Sequence, residues 1–184
     1  HGDDRFYNNI FVQGFDPAAE IRRGEPGKNE RICGTWQFDE YPTYDEWIQW
    51  FDLDVKRPDM MKLGEFHEKH LPVWCESNVY LNGAKPWQHE KKNLVADGAK
   101  VELVEKDGKY TLKTNVYQLL SGFDANMIDS DVLGCAFEPE QRFENNDGSP
   151  ITFDRDFFGS HRGIAPIPGP FAAAIEDELF IWED

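Results

Sequence analysis

The segment HGDDRFYNNIFV, residues 1–12, contains the most informative pattern in the chain. Its second half, F-Y-N-N-I-F-V, is a short strand in which the pair Asn8 and Asn9 stands among apolar residues. Apolar side chains occupy both faces of this strand, which is typical of a strand covered on two sides. The asparagine pair indicates a turn position where side-chain amides of successive strands hydrogen-bond in a ladder. The segment therefore predicts one rung of a right-handed parallel β-helix, and a chain that begins inside such a solenoid.

The same pattern returns later in the chain, because N-V-Y-L at 78–81 repeats N-I-F-V at 9–12. These two copies form an internal repeat, although two copies alone are a weak signal. Glycines and prolines interrupt the chain between them, which is long for a connection and predicts an insertion with structure of its own. Within it, Thr43 and Glu46 have capping-box spacing at the start of a helix over 43–51, and a second helix is predicted over 59–70.

From residue 93 onward the pattern predicts antiparallel β structure. Strands over 100–104 and 109–113 flank the turn K-D-G at 106–108. A helical turn is predicted over 115–120, and further strands are predicted over 133–137, 151–153 and 179–182. The expected fold class is mainly β, with terminal rungs of a right-handed parallel β-helix, a partly helical insertion and an antiparallel C-terminal region. Its parts are a rung (1–13), the insertion (14–71), a rung with its connection (72–98) and a C-terminal capping region (99–184).

Composition restricts the partners. The chain has 35 acidic against 19 basic residues and a net charge of −16, whereas nucleic acids and anionic membranes attract basic surfaces. We expect neither as a partner, and we expect a soluble protein, cytoplasmic or secreted. Three widely spaced cysteines form no metal pattern and predict buried free thiols. No metal and no cofactor is expected.

Several segments in order carry a family resemblance. They are G-D-D-R-F-Y-N-N-I-F-V (2–12), L-P-V-W (71–74), N-V-Y-L-N-G-A-K-P (78–86), F-E-N-N-D-G-S-P-I (143–151), D-F-F-G (156–159) and P-G-P-F (168–171). Together they resemble the C-terminal part of bacterial right-handed β-helix glycoside hydrolases, and among these the β-helix β-xylosidases of glycoside hydrolase family 120. The resemblance covers 1–13, 71–95 and 132–171, and it is weak over 14–70.

This resemblance implies an enzyme of xylan degradation that cleaves β-xylosides with retention, which needs two carboxylates about 5–5.5 Å apart. It also implies that both carboxylates lie upstream of residue 1. The chain would then be a fragment, inactive alone, with a xylo-oligosaccharide ligand and with the upstream β-helix or a companion chain as its partner. Two alternatives stay open: a non-catalytic carbohydrate-binding or structural module, and a self-standing hydrolase that uses Asp3, Asp4 or Glu40.

Three residues are predicted to contact substrate: Asp4, Arg5 and Trp36. In one interpretation Asp3, Asp4 and Arg5 lie at the mouth of the substrate groove, and in the other they form a structural ion pair at the end of a rung. Asp3 and Asp4 are the first catalytic candidates if the catalytic pair is not upstream. The Trp36 ring offers a face on which a sugar can stack.

Overall fold

The computed structural model describes residues 2–14, 32–51, 68–137 and 139–183. The strands are β1 (Asp4–Tyr7), β2 (Ile10–Val12), β3 (Val73–Glu76), β4 (Asn78–Leu81), β5 (Asn93–Ala96), β6 (Val101–Lys106), β7 (Lys109–Thr114) and β8 (Glu178–Glu183). The helices are α1 (Tyr44–Phe51), α2 (Val116–Leu119) and α3 (Ser130–Leu133), with a 3₁₀ turn at Trp36–Phe38. The prediction of a mainly β chain is confirmed.

The two predicted rungs stack as parallel strands. β1 pairs with β3, which places Asp4 opposite Val73, and β2 pairs with β4, which places Ile10 opposite Val79. In both strand pairs the partners are separated by the same number of residues along the chain. The residues between the paired strands, Asn8 and Ser77, both have φ 59°, a left-handed conformation that asparagine tolerates well. Both chain segments therefore turn at the same point, and the two strand pairs stay in register.

A third parallel strand corrects the expectation of antiparallel structure from residue 93 onward. β5 pairs with β4 in parallel, with Asn93 opposite Asn78. Its sequence N-L-V-A repeats the asparagine and apolar triplet but ends in the small Ala96, followed by Asp97-Gly98, which resembles a hairpin turn. The antiparallel region begins only at β6.

The asparagine ladder is present between the first two rungs. Both the backbone N–H and the side-chain amide of Asn9 donate to Asn78 Oδ1, each at 2.9 Å. Asn78 is fully buried, and its own amide donates to the carbonyl oxygen of Phe6 at 2.8 Å and to Glu90 Oε1 at 2.9 Å. On the third rung, Asn93 instead donates to the carbonyl oxygen of Glu90.

The C-terminal region covers one face of the β2–β4–β5 sheet. The core there joins Val79 and Leu81 to apolar side chains from beyond the sheet: Val116, Tyr117, Leu120, Phe171 and Ile175. Gly169 lets the backbone of the C-terminal region approach Ile10 closely, since a Cβ at this position would lie 2.6 Å from Ile10 Cδ1 and the φ of Gly169 is 94°. Its N–H donates to the carbonyl oxygen of Asn8 at 2.8 Å. Burial of this sheet face is the main driving force for docking the region.

Helix α1 has the predicted capping box. Glu46 Oε2 accepts from the Thr43 N–H at 2.8 Å, and Thr43 Oγ1 accepts from the Glu46 N–H at 3.3 Å. The hydrogen bonds that the Thr43 N–H and hydroxyl donate to this carboxylate lower the pKa of Glu46 below its ordinary value. The helix is anchored by Trp47, which is fully buried and packs edge-on against Phe137. The second predicted helix, over 59–70, lies outside the described residues except for 68–70.

The antiparallel sheet has the order β6–β7–β8. The β6–β7 hairpin is as predicted, and the structure adds the pairing of β8 with β7. The helical turn and the last strand are also confirmed as α2 and β8.

The prediction of strands over 133–137 and 151–153 is wrong. Cys135 and Thr152 form only isolated bridges. The side chain of Asp129 caps α3 by accepting from two backbone N–H groups, so a helix ends at Leu133 where a strand is predicted to begin. The buried-thiol prediction is also wrong for Cys135, which is exposed, while Cys33 and Cys75 are half-buried.

Among residues 2–14, 32–51, 68–137 and 139–183, none of the helices has the length and apolar character that crossing a bilayer requires.

Replacing Asn78 by alanine should lower the free energy of unfolding by about 3 kcal/mol, because it leaves buried donors and acceptors of two rungs unpaired. Urea denaturation measures the loss. Asn93→Ala is the matched control: Asn93 is half-buried and its side chain donates one hydrogen bond, so its cost should stay below about 1 kcal/mol. Equal costs for the two variants would contradict the role of the ladder.

Candidate functional site

A cavity of about 560 Å³ lies where the corner between β1 and β2 meets the C-terminal region. We call it the corner cavity. The rung supplies Arg5, Tyr7, Asn8 and Phe11 to its wall, and the C-terminal region supplies Phe153 and Arg162. Its lining thus combines a phenol, an amide and guanidinium groups with aromatic rings.

Strand geometry places these side chains. Alternation along β1 puts Arg5 and Tyr7 on one face, and the register sets them beside Trp74 and Glu76 of β3. Burial raises the pKa of Tyr7 to about 12, so its phenol stays protonated at neutral pH. The left-handed Asn8 then turns the chain, and its amide donates to the carbonyl oxygen of Asn126 at 2.8 Å.

Arg5 is the most heavily bonded side chain of the cavity wall. Its guanidinium forms an ion pair with Asp3, and it donates to the carbonyl oxygens of Leu133 at 3.0 Å and Cys135 at 2.7 Å. It also lies 4.0 Å from the centre of the Trp74 ring. The ion pair of the structural interpretation is therefore present, and the same side chain lines the cavity.

The other predicted site residues lie elsewhere. Asp3 Oδ2 accepts from the Phe137 N–H at 2.9 Å, so its carboxylate bonds to both Arg5 and the C-terminal region. Asp4 lies on the β1 face opposite to Arg5 and is not part of the cavity wall. Trp36 is half-buried and donates to the carbonyl oxygen of Ile32 at 2.8 Å, also away from the cavity. Of Asp4, Arg5 and Trp36, the structure brings only Arg5 to the corner cavity.

Sequence reasoning missed most of the cavity wall. Tyr7 and Asn8 belong to the quoted F-Y-N-N pattern, which signals a rung but not a cavity. Phe153 and Arg162 carry no local signal, since only the docking of the C-terminal region brings them to β1.

A buried polar network beneath the rungs was also missed. Glu90 accepts from the Asn78 N–H at 3.1 Å and from the Tyr80 hydroxyl at 2.6 Å. The Tyr80 hydroxyl also lies 2.7 Å from Thr35 Oγ1. Burial raises the pKa of Glu90 above its ordinary value, and the hydrogen bonds from Tyr80 and Asn78 oppose that shift. The network fixes three chain segments relative to one another.

Cys75, next to this network, is a protonated thiol at neutral pH, because burial raises its pKa to about 12. In the part of the chain that the structure describes, no three histidine, cysteine, aspartate or glutamate side chains are grouped as a metal ion would require.

Comparison with known proteins gives a fold relative that contains a bound sugar. It is the solved structure of XylC in complex with xylose, which matches with a TM-score of 0.77 at 25% sequence identity. The match covers 98% of this chain and 26% of the XylC chain, so the chain spans about a quarter of the length of XylC. No known protein family and no curated protein sequence matches the chain. The chain therefore has a XylC-like fold.

Replacing Arg5 by lysine should lower the free energy of unfolding by about 2 kcal/mol, because an ammonium group cannot reproduce the planar fork that bonds Asp3, Leu133 and Cys135. Chemical denaturation measures the change. Arg142→Lys is the control, since Arg142 makes an exposed ion pair with Asp131, and its cost should be near zero. If Arg5→Lys is as stable as the parent, the structural role of Arg5 is refuted.

The raised pKa of Glu90 predicts a pH dependence of stability. Its contribution should be fully present below the ordinary value of 4.5 and decline as pH rises through the higher folded-state pKa, because the unfolded state releases the proton first. Glu90→Gln should lack this component. Urea denaturation between pH 4 and 8 should therefore show the parent losing stability relative to the glutamine variant as pH increases. A relative gain with pH would contradict the assignment.

Proposed function

We propose that this chain is the C-terminal part of a bacterial retaining glycoside hydrolase with a right-handed parallel β-helix that acts on β-xylosides. One observation carries the proposal: the fold matches that of XylC, solved with xylose, over 98% of the chain at 25% identity. The resemblance of the sequence motifs to β-helix β-xylosidases points to the same class independently of the fold.

The corner cavity supports a carbohydrate ligand. Sugars present hydroxyl groups that donate and accept hydrogen bonds, and C–H faces that pack on aromatic rings. Phe11 and Phe153 provide rings, and Tyr7 provides a protonated phenol. Within the described residues, the buried atoms Asn8 Oδ1 and Arg162 Nε have no hydrogen-bond partner, so an acceptor and a donor of the wall-forming residues are left unsatisfied. In this proposal, Arg5 fixes the wall of the groove.

The upstream part of the same β-helix, or a companion chain, is the proposed partner. Among the described strands, β1 pairs with β3 alone and β2 with β4 alone, which leaves one edge of each unpaired. Such edges accept a further parallel strand. A preceding rung on these edges would extend the groove and carry the two catalytic carboxylates.

The alternatives assign the carboxylates differently. A self-standing hydrolase would use Asp3, Asp4 or Glu40, yet the carboxylate of Asp3 is already bonded to Arg5 and to the Phe137 N–H. A non-catalytic module would bind sugar without cleaving it. Asp4 and Trp36 remain proposed substrate contacts through parts of the ligand that extend beyond the corner cavity.

An aryl β-xyloside assay tests the proposal. The chain of residues 1–184 should show no turnover alone, and turnover should appear when the upstream polypeptide is supplied, because the catalytic pair belongs to that part. Phe153→Ala in the active assembly should raise KM several-fold, while Phe180→Ala, a similarly exposed phenylalanine on β8, should leave it unchanged.

Turnover by residues 1–184 alone would refute the upstream location of the carboxylates. Sugar binding without turnover in either case would establish the non-catalytic alternative.

A further inference from the structure

A second cavity, of about 390 Å³, lies beside β3 and, apart from Tyr7, is lined by residues that do not line the corner cavity. We call it the aromatic cavity. Its wall includes three aromatic rings, Tyr44, Trp74 and Trp87, and three charged groups, Asp45, Glu76 and Lys91. Tyr7 contributes to both cavities, so they adjoin.

Three elements hold the aromatic cavity in shape. The capping box fixes the first turn of α1, which carries Tyr44 and Asp45. Alternation along β3 places Trp74 and Glu76 on one face. The Trp74 ring is packed against the Arg5 guanidinium and lies 6.2 Å from the Tyr44 ring at an interplanar angle of 30°. The aromatic surface is therefore built before any ligand arrives.

A buried donor without a partner marks the cavity as incomplete. Trp87 is 3% exposed, and within the described chain its indole N–H has no hydrogen-bond partner. Leaving a buried donor unpaired is unfavourable, and a ligand oxygen that reaches this N–H would remove the penalty. The cavity also offers an acceptor. Glu76 accepts from the Asn126 amide through Oε1, so its second carboxylate oxygen can accept from a ligand.

The mixture of charges selects a neutral polyhydroxylated ligand. Asp45 and Glu76 repel anions, and Lys91 opposes a permanently cationic ligand. Hydroxyl groups donate to the two carboxylates and accept from Lys91 and the Trp87 N–H, while the ring faces pack on Tyr44 and Trp74. The volume lies at the lower end of the range of small-molecule sites.

We propose that the aromatic cavity is a non-catalytic subsite that binds one pyranose ring of a xylo-oligosaccharide. The identity of the sugar rests on the proposed function, whereas the binding itself rests on the cavity. Because the subsite adjoins the corner cavity through Tyr7, it would hold a part of the chain that lies beyond the cleaved bond. Longer xylo-oligosaccharides would therefore be retained better than short ones.

Titration calorimetry of the 184-residue chain with xylotriose tests the subsite. Tyr44→Ala should weaken binding about tenfold, the effect of losing about 1.4 kcal/mol of ring contact. Trp50→Ala is the matched control: Trp50 lies on the same helix, is 45% exposed against 47% for Tyr44, and lines neither cavity. It should bind xylotriose as the parent does.

Asp45→Asn, which preserves the shape of the side chain, should also weaken binding. This variant tests the carboxylate contact independently of the Tyr44 ring.

Parental affinity in both Tyr44→Ala and Asp45→Asn would overturn the subsite, as would equal losses in Trp50→Ala. Tighter binding of choline than of xylotriose would overturn the sugar assignment, because it would show an aromatic cage for cations. Aryl β-xyloside turnover by the assembly with the upstream polypeptide reports on the hydrolase proposal alone, and Trp50→Ala, which lines neither cavity, should leave it unchanged. Failure of the subsite and failure of the hydrolase proposal are thus read from different measurements.

Discussion

The side chain of Asn78 is the constraint on which the described rungs depend. It accepts from Asn9, donates to the carbonyl oxygen of Phe6, and donates to the buried carboxylate of Glu90. Because all of these groups lie away from water, each bond must be made for the arrangement to be stable. Slipping one rung by a single residue would break the contacts together and turn every side chain to the other face. The amide therefore specifies the register as well as contributing stability.

That register also creates both cavities. With β1 and β3 aligned, Arg5, Tyr7, Trp74 and Glu76 form a two-by-two patch on one face of a two-stranded sheet. The corner cavity opens at one side of this patch and the aromatic cavity at the other. Arg5 serves both, since it lines the first and packs on the Trp74 ring of the second. A structural ion pair at the end of a rung and a role in a binding groove are therefore compatible in one residue.

The sequence predicted the features that depend on neighbouring residues. The asparagine pattern located the first two rungs and their amide contact, and the Thr43–Glu46 spacing located α1. The sequence did not predict β5 as a parallel strand, because its apolar triplet ends in the small Ala96. The Glu90 network and the Arg5 contacts join residues far apart in the chain, up to 130 positions for Arg5 and Cys135. No periodicity encodes such pairings, so the cavity walls supplied by the C-terminal region could not be foreseen.

The first rung ends where the Gln13 N–H donates to the carbonyl oxygen of Leu81, and the second begins where the Asp3 N–H donates to the carbonyl oxygen of Pro72. The strands before residue 14 thus pair with the strands after residue 71, and this pairing does not depend on how many residues lie between them. Loop-closure entropy grows slowly, by about 0.6 kcal/mol for each doubling of loop length. Evolution can therefore lengthen or shorten this interval at little loop-closure cost, provided that Thr35 keeps its contact with Tyr80 and Trp47 its packing against Phe137. A foreign domain inserted so that these two contacts remain would leave the stacked strands aligned.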